Sequence, residues 1–423
     1  MKRLVSPPGS SCVFAFSGLF AILAWLSPVA VGATYGGGSG TAGDPYLIQT
    51  AEQFVEIGRT PADWGSSFRL VSDIDLSDYD QTTLQPIGRW VSQGNNANQP
   101  FHGSFDGGGK TIRGFRFKDM KAQYVGLFCY VTGDITDLHL VRPNVVADNM
   151  GVGALVGYLG SGGLSGCSVT GASVSGNEEV GALVGLVDGR LYACWSTGSV
   201  TGARYVGGLV GRIGSGTVVG SYSKAAVAGN DSVGGFVGGV SKELGLVDCC
   251  YAKGRVQGGI YVGGLVGQLV AGQVFRCYSV GRVTGSQALG GLVGYKRAQG
   301  QTLGSLWDTE ASGQATSAGG TGKTTAEMKM GTPYLDMNWD FGSTWIMCEG
   351  LSYPILQWQI PAGDFTCPDG VNFTDFAWFA AQWRSRACGQ ANGHCSGVDL
   401  DQSGEVDWPD LALFSANWLA GVE

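Results

Sequence analysis

The chain has 423 residues, a formal net charge of −8 and only 14% charged residues. So sparse and acidic a composition lacks the clustered Lys and Arg that displace counterions from a phosphate backbone, which excludes nucleic-acid binding. Glycine, at 73 residues, is far above its usual share, but it recurs at fixed spacing and so marks a repeat rather than disorder.

Met1-Lys2-Arg3 opens a short basic region, the stretch Cys12 to Val31 is apolar, and Val31-Gly32-Ala33 offers a small-x-small cleavage site. This pattern predicts a secretory signal peptide over residues 1–33, cut after Ala33. The alternative is an uncleaved membrane anchor, against which stand Gly18 and Pro28, both weakening a spanning helix. No later segment is apolar enough to span a bilayer, so the mature chain is expected to be secreted or cell-surface, without a membrane span.

Residues 34–124 carry short Gly-punctuated runs and an acidic group, Asp73, Asp75, Asp78, Asp80 and Asp106. Over residues 125–300 a single phrase then dominates, Val206-Gly207-Gly208-Leu209-Val210-Gly211 in its clearest form. Its copies start at Val125, Val152, Val180, Val206, Val233, Val262 and Leu289, successive intervals being 27, 28, 26, 27, 29 and 27. A constant period in this range marks a solenoid, whose units bury their apolar sides only against neighbours. Glycine and β-branched residues exclude helical repeats. Short Val, Tyr and Ser runs between glycines predict a parallel β-solenoid, about 27 residues per coil, with two or three strands in each and coils ~4.8 Å apart.

Stacked coils turn equivalent positions into columns. One column reads Cys167, Cys194, Ser221, Cys250, Cys277 and Leu306, taken as small apolar core positions. The next reads Ser168, Trp195, Tyr222, Tyr251, Tyr278 and Trp307. If the Cys and Val283 side faces inward, Trp195, Tyr222, Tyr251, Tyr278 and Trp307 form an exposed ladder, a flat platform on which sugar rings would stack. If a turn at Gly281 resets the alternation, they are core. Arg255 and Arg282 beside them are expected to be solvated. Between Gly151 and Gly300 the acids Glu178, Glu179, Asp188, Asp231, Glu243 and Asp248 fall in unrelated positions of the unit, so no paired carboxylates and no catalytic residue are assigned.

Gly-Gly-Leu-Val-Gly preceded by Cys-Tyr-Ser-x-Gly-x-Val-x-Gly resembles the GLUG-motif repeat family of secreted bacterial proteins. The opening coils are similar too, through Asp44-Pro45-Tyr46-Leu47-Ile48, Asp73-Ile74-Asp75-Leu76, Pro86-Ile87-Gly88 and Phe105-Asp106-Gly107. Closing coils over 301–362 resemble the family's last unit through Thr324-Thr325-Ala326-Glu327-Met328, Trp339-Asp340-Phe341 and Tyr353-Pro354. The resemblance implies a surface or secreted role and no reaction. Gly320-Thr321-Gly322-Lys323-Thr324-Thr325 lacks the first glycine of a phosphate loop and is discounted.

From 363 to 423 the composition turns helical, and two segments align at an offset of 35, Phe373–Trp383 with Trp408–Trp418. The second follows a loop in which Asp399, Asp401, Ser403, Glu405 (through its carbonyl), Asp407 and Asp410 fall at calcium-ligand positions, with Gly404 at the sharp turn. The first loop is degenerate, with Asp364, Thr366, Pro368, Asn372 and Asp375 at ligand positions and Asp369 in place of the glycine. Two calcium loops with following helices resemble a type I dockerin, which implies a cohesin-like partner on another extracellular component. The recognition pairs here are Phe373-Thr374 and Trp408-Pro409, where that family often has Ser/Thr. Cys348, Cys367, Cys388 and Cys395 leave three disulfide pairings open.

The expected protein is thus a secreted or cell-surface, non-catalytic β-solenoid. It presents an elongated surface to a polysaccharide or protein ligand and is attached through a calcium-binding tail. The alternative is a carbohydrate-active β-helix lyase or hydrolase bearing a dockerin.

Overall fold

The computed structural model describes residues 34–80, 82–367 and 369–421. The signal peptide expected over residues 1–33 lies outside the described residues, as does Pro368. No helix among the described residues is long and apolar enough to cross a membrane.

Alternating buried and exposed residues build parallel strands that wind into a solenoid of about seven turns, roughly 28 residues per turn. One coil runs through the strands Thr217–Val219, Tyr222–Ser223, Ala226–Ala228, Asp231–Gly234 and Val237–Val240. A coil therefore holds more and shorter strands than the spacing suggested. The strands collect into a 23-stranded, a 7-stranded and a 6-stranded sheet. The first valine of each phrase stacks in register, Val180 on Val206, Val233, Val262 and Leu289. The second does the same, Val184 on Val210, Val237, Val266 and Val293. The valines of both columns are fully buried.

Two corners per coil explain the chopping. The residue before each Val-Gly is left-handed, as at Glu179 (φ 55), Tyr205 (φ 52), Ser232 (φ 56) and Tyr261 (φ 54). So is the residue before each Cys-column position, as at Ala193 (φ 51), Gly220 (φ 57), Cys249 (φ 52) and Arg276 (φ 47). Each non-glycine corner costs about 1–2 kcal/mol, which the stacked valines and backbone bonds on either side offset. The phrase glycines answer a different demand, close approach. A Cβ on Gly211 would lie 2.2 Å from the carbonyl carbon of Glu179 at the neighbouring corner, and one on Gly207 would lie 2.0 Å from the Val210 oxygen. Both obstacles are backbone and cannot yield.

The Cys column also serves a corner. The side chain at this position accepts a hydrogen bond from the backbone N–H one coil earlier: Cys194 N–H to Ser221 Oγ (3.0 Å), Cys250 N–H to Cys277 Sγ (3.4 Å), Cys277 N–H to Ser305 Oγ (3.1 Å). Its own proton goes to the carbonyl two residues back, as from Cys277 to Phe275 (3.0 Å) and from Ser221 to Val219 (2.9 Å). Polarity at this site therefore matters, and Ser replaces Cys for that reason. The four column cysteines are free thiols; burial raises those of Cys167 and Cys250 well above the usual range. The member under Cys277 is Ser305, not Leu306, since Tyr278 pairs with Leu306 and Ser279 with Trp307. A one-residue slip exchanges faces.

At the N-terminal end the helix Ala51–Arg59, capped by Thr50 and Gln53, buries Phe54, Val55 and Ile57 against the first coils. At the other end, residues 324–359 turn back along the outside of the coils. They form short helices and the antiparallel pair Trp345–Ile346 with Ile355–Leu356. Trp339, Trp345 and Leu356 join Tyr251, Tyr278 and Leu306 in a second core.

The tail has a third core, around Val371, Phe379, Val398, Val406 and Phe414. Its helices are Phe373–Ala381 and Trp408–Ala416. The duplication in sequence becomes a reciprocal pairing. Arg384 N–H bonds to Val406 O and Val406 N–H to Ser385 O. Thirty-five residues away, Leu419 N–H bonds to Val371 O and Val371 N–H to Ala420 O. Each loop is thereby sealed by the segment that follows the other helix. The disulfides are Cys348–Cys367 and Cys388–Cys395, one of the three pairings.

Candidate functional site

Outward alternation from the buried cysteines aligns the aromatic column, and the register extends it in the N-terminal direction. His139 pairs with Ser168, Ser168 with Trp195, Trp195 with Tyr222, Tyr222 with Tyr251, and Tyr251 with Tyr278. His139 was not part of the column read from sequence, because the phrase that anchors the repeat is degenerate in its coil. Its ring lies 5.3 Å from that of Trp195, spanning the small Ser168, whose hydroxyl meets His139 Nδ1 at 2.9 Å. Burial lowers the His139 pKa below the ordinary 6.5.

Two expectations for this ladder need correction. Trp307 is not a member: its column is that of Ser279, and its ring packs inward against Gly291, 6% exposed, with Nε1–H bonded to Gln314 O. Nor is the ladder a flat platform. Tyr222 and Tyr251 are 5.0 Å apart and 3° from parallel, and Tyr251 and Tyr278 are 5.0 Å apart and 12° from parallel. Coplanar rings that close would interpenetrate, so these overlap face to face and turn their edges outward. Their faces are spent on one another.

The outward edges seat the returning C-terminal strap. Tyr251 and Tyr278 are completely buried. Tyr251 hydroxyl bonds to Gln359, and Tyr278 hydroxyl donates to Pro354 O. Trp358 donates from Nε1 to Gly220 O at 3.0 Å and lies 5.5 Å from Trp195 and 5.9 Å from Tyr222.

Where the strap stops short of the ladder's N-terminal rungs, a groove of about 830 Å³ remains. One wall holds Asp137, His139, Trp195, Tyr222, Lys224 and Lys253; the other holds Tyr353, Trp358 and Gln359, with Asp369 from the tail at its edge. Trp195 and Tyr222 are half-buried, and Trp358 is 39% exposed. The Lys253 ammonium sits 5.2 Å from the centre of the Tyr251 ring. Aromatic edges, an exposed indole, hydroxyls, ammonium groups and carboxylates thus converge on one cleft of ligand size.

Several acids elsewhere are held in ion pairs and turns. Arg204 lies between Glu178 (3.2 Å) and Asp231 (3.7 Å) on successive coils, so these two acids do share a column, and it is an ion-pair ladder. Glu179 is buried against Arg212, with burial raising its pKa and the guanidinium opposing that. Near the N-terminus, Asp75 pairs with Arg113 and Asp106 with Arg69. Asp73 accepts from Thr111 N–H, and Asp80 closes a turn at Thr82.

In the second tail loop, carboxylate oxygens of Asp399, Asp401 and Asp410 lie within 4.8 Å of one another. Asp410 is fully buried and accepts from the N–H groups of Leu400, Asp401 and Asp407, which pulls the loop around it. Asp399 accepts from Ser403 and Gly404, the latter at φ 98. Ser403 Oγ donates to the Glu405 carbonyl. Asp407 Oδ1 is buried and lacks a hydrogen-bond partner among the described residues.

The first loop repeats this plan more fully than its sequence suggested. Gly370 (φ 93) makes the turn and donates to Asp364, as Gly404 does to Asp399. The turn glycine is present, displaced by one residue, and Asp369 joins Asp364 and Asp375 in a second carboxylate trio within 4.8 Å. Asp375 is fully buried and accepts from Phe365, Thr366 and Asn372. Thr366 Oγ1 also donates to Asp375. Asn372 instead caps the following helix through Thr374 N–H. Asp364 Oδ1 is buried and unpartnered among the described residues, and burial lifts its pKa to about 6. Converging carboxylates with orphaned oxygens fit a hard cation.

No protein-family model matches the chain. Over 128 residues it is 38% identical to a protein of Evansella cellulosilytica named as a candidate Gly-rich membrane protein, a match covering 30% of this chain and 14% of that one. Over 166 residues it is 30% identical to halomucin of Haloquadratum walsbyi, 39% of this chain and 2% of that protein. The chain thus spans a small part of the curated relatives it matches. Among solved structures, a candidate immunoglobulin A1 protease from Bacteroides ovatus superposes with a TM-score of 0.51, over 77% of this chain and 96% of its own, at 20% identity. At that identity the likeness is one of fold, a β-solenoid.

Proposed function

We infer that this is an extracellular or cell-surface, non-catalytic solenoid that binds polysaccharide in the groove between the aromatic ladder and the C-terminal strap. The observation that carries this reading is the convergence of Trp195, Tyr222 and the exposed Trp358 with His139, Lys224, Lys253 and Gln359 around a cleft of about 830 Å³. Sugar rings need an apolar face beside directed donors and acceptors, and here the face is the Trp358 indole rather than the ladder. The resemblance to GLUG repeats and the names of the two relatives, a membrane protein and halomucin, support a surface location.

The tail is the attachment module in this reading. Asp399, Asp401, Asp407 and Asp410 would hold one calcium ion, and Asp364, Asp369 and Asp375 a second. A bound ion supplies the positive charge that lets these carboxylates face one another. The resemblance to a type I dockerin suggests a cohesin-like partner. The recognition positions Phe373 and Trp408 are exposed (79% and 71%) and aromatic, so such a partner would meet a mainly apolar surface, with the Thr374 hydroxyl in one of the two pairs.

The test is isothermal titration of the mature protein against neutral polysaccharides, with and without calcium, the same mixtures being assayed for new reducing ends and unsaturated products. Saturable binding without products, weakened at least tenfold in Trp358→Ala, is expected. Product formation, or binding indifferent to Trp358 and Trp195, refutes the reading.

A further inference from the structure

Past the aromatic rungs, the next strand of each coil presents a second feature, distinct from the groove. Ser199, Ala226, Arg255 and Arg282 follow one another up the sheet, with Thr201, Ala228, Gln257 and Thr284 as the parallel column. Between the columns Val200, Val227, Val256 and Val283 point inward and are buried. The alanines make a dip between longer side chains, and the result is a trough of about 370 Å³. At Thr201, Ala228 and Gln257 it continues into a second hollow of about 480 Å³, lined by Gly202, Gly229, Gly258, Gly259 and Asn230.

The electrostatics of this trough are unresolved within the chain. Arg255 and Arg282 occupy neighbouring rungs, ~4.8 Å apart at the backbone, and both are exposed. The Arg204 ladder and the Arg276–Asp248 pair show how other arginines of the solenoid are neutralised. Among the described residues neither Arg255 nor Arg282 has a carboxylate partner, and no acid lines either hollow. Like charges opposite one another on adjacent strands repel. Two guanidinium forks side by side suit an oxyanion that accepts from both.

We propose that Arg255 and Arg282 form an oxyanion-binding site for the carboxylate or sulfate groups of an extended acidic polysaccharide lying along this trough. The remaining lining argues for a polysaccharide over a protein. It offers hydroxyls, the amides of Gln257 and Asn230 and bare glycine backbone, with no exposed large apolar side chain to anchor a protein interface. Its length argues for a polymer over a lone ion, since four rungs cover about 14 Å.

The test is calorimetric titration with dextran sulfate, polygalacturonate, neutral dextran and inorganic sulfate at low and moderate salt, using wild type, R255Q/R282Q, R255K/R282K and Trp358→Ala. Wild type should bind both acidic polymers, and R255Q/R282Q should leave its behaviour toward neutral dextran unchanged. R255Q/R282Q should lose about tenfold or more per arginine. R255K/R282K should recover part of the loss, as charge without a fork, and Trp358→Ala should leave the acidic polymers unaffected. Both arginines are exposed, so an unchanged urea midpoint certifies the variants. Acidic polymers that fail to bind, that bind R255Q/R282Q as well as wild type, or that bind no better per anion than inorganic sulfate overturn the proposal. The groove reading is judged separately, on neutral polysaccharides and Trp358.

Discussion

Replacing Cys277 by Ala and by Ser separates two accounts of the cysteine column, because they predict opposite orders of stability. If the position only needs a small apolar group, Ala should be tolerated and Ser, a buried hydroxyl, should be the worse choice. The structure says otherwise. Cys277 Sγ accepts from the buried Cys250 N–H at 3.4 Å and donates to Phe275 O at 3.0 Å. Ser305 Oγ makes the same two contacts at 3.1 Å each, to Cys277 N–H and Leu303 O. Cys277→Ser should therefore keep both bonds and cost less than about 1 kcal/mol. Cys277→Ala orphans a buried amide, at about 1–3 kcal/mol, and leaves a small void besides. The Ala variant should be the less stable by about 1–2 kcal/mol. Urea unfolding followed by circular dichroism gives the order if the slopes stay equal. Amide exchange at Cys250 localises it, and should accelerate in the Ala variant alone. An Ala variant at least as stable as the Ser variant, or unchanged exchange at Cys250, would refute the argument.

Calcium removal should loosen the tail and spare the solenoid: at a hundredfold excess over Kd, binding contributes about 2.7 kcal/mol per site. Chelation should thus lower the tail's unfolding midpoint and leave the coil amides protected, and Asp410→Ala should abolish the calcium response of the second loop. Calcium-independent melting would remove the metal from the account. Acid should weaken the groove through His139. Its folded pKa is depressed by burial, so the unfolded chain binds the proton more readily. The stability His139 lends is complete above its unfolded pKa of about 6.5 and declines as pH falls through that value toward the lower folded one. His139→Gln should flatten the dependence of the urea midpoint between pH 7 and 5; parallel curves for the two proteins would show that His139 is not the group responsible.

The solenoid was legible because stacking converts a sequence period directly into spatial columns. Val206 over Val233 needs no knowledge of the rest of the chain. What local pattern could not show was conformation at the corners. Glu179, Tyr205 and Tyr261 carry no left-handed signature, and only the backbone pressed against them by Gly211, Gly238 and Gly294 reveals why the turn is there. The end of the ladder was misread for a related reason. Residue type alone favoured Trp307 for the aromatic column, but Tyr278 pairs with Leu306, and Trp307 falls one place beyond it, opposite Ser279. Burial of Tyr251 and Tyr278 depended on residues 108 and 76 positions away, at Gln359 and Pro354, beyond the reach of any periodicity. In the tail, the displacement of the turn glycine by one place to Gly370, within a loop of unchanged length, hid the first loop's turn and with it the carboxylate of Asp369.

The bond between Cys348 and Cys367 joins the strap to the first tail loop, bridging a sequence separation of 19. Under the attachment proposed above, with the tail held and the coils bound, that bond would set the route of mechanical load. Tension entering at Cys367 passes straight to Cys348, and the chain between them stays slack. From there it meets the strap, pegged crosswise to several rungs at once through Tyr278, Tyr251 and Gly220. The pull is spread as shear over those coils, and no single terminal coil has to be peeled away first.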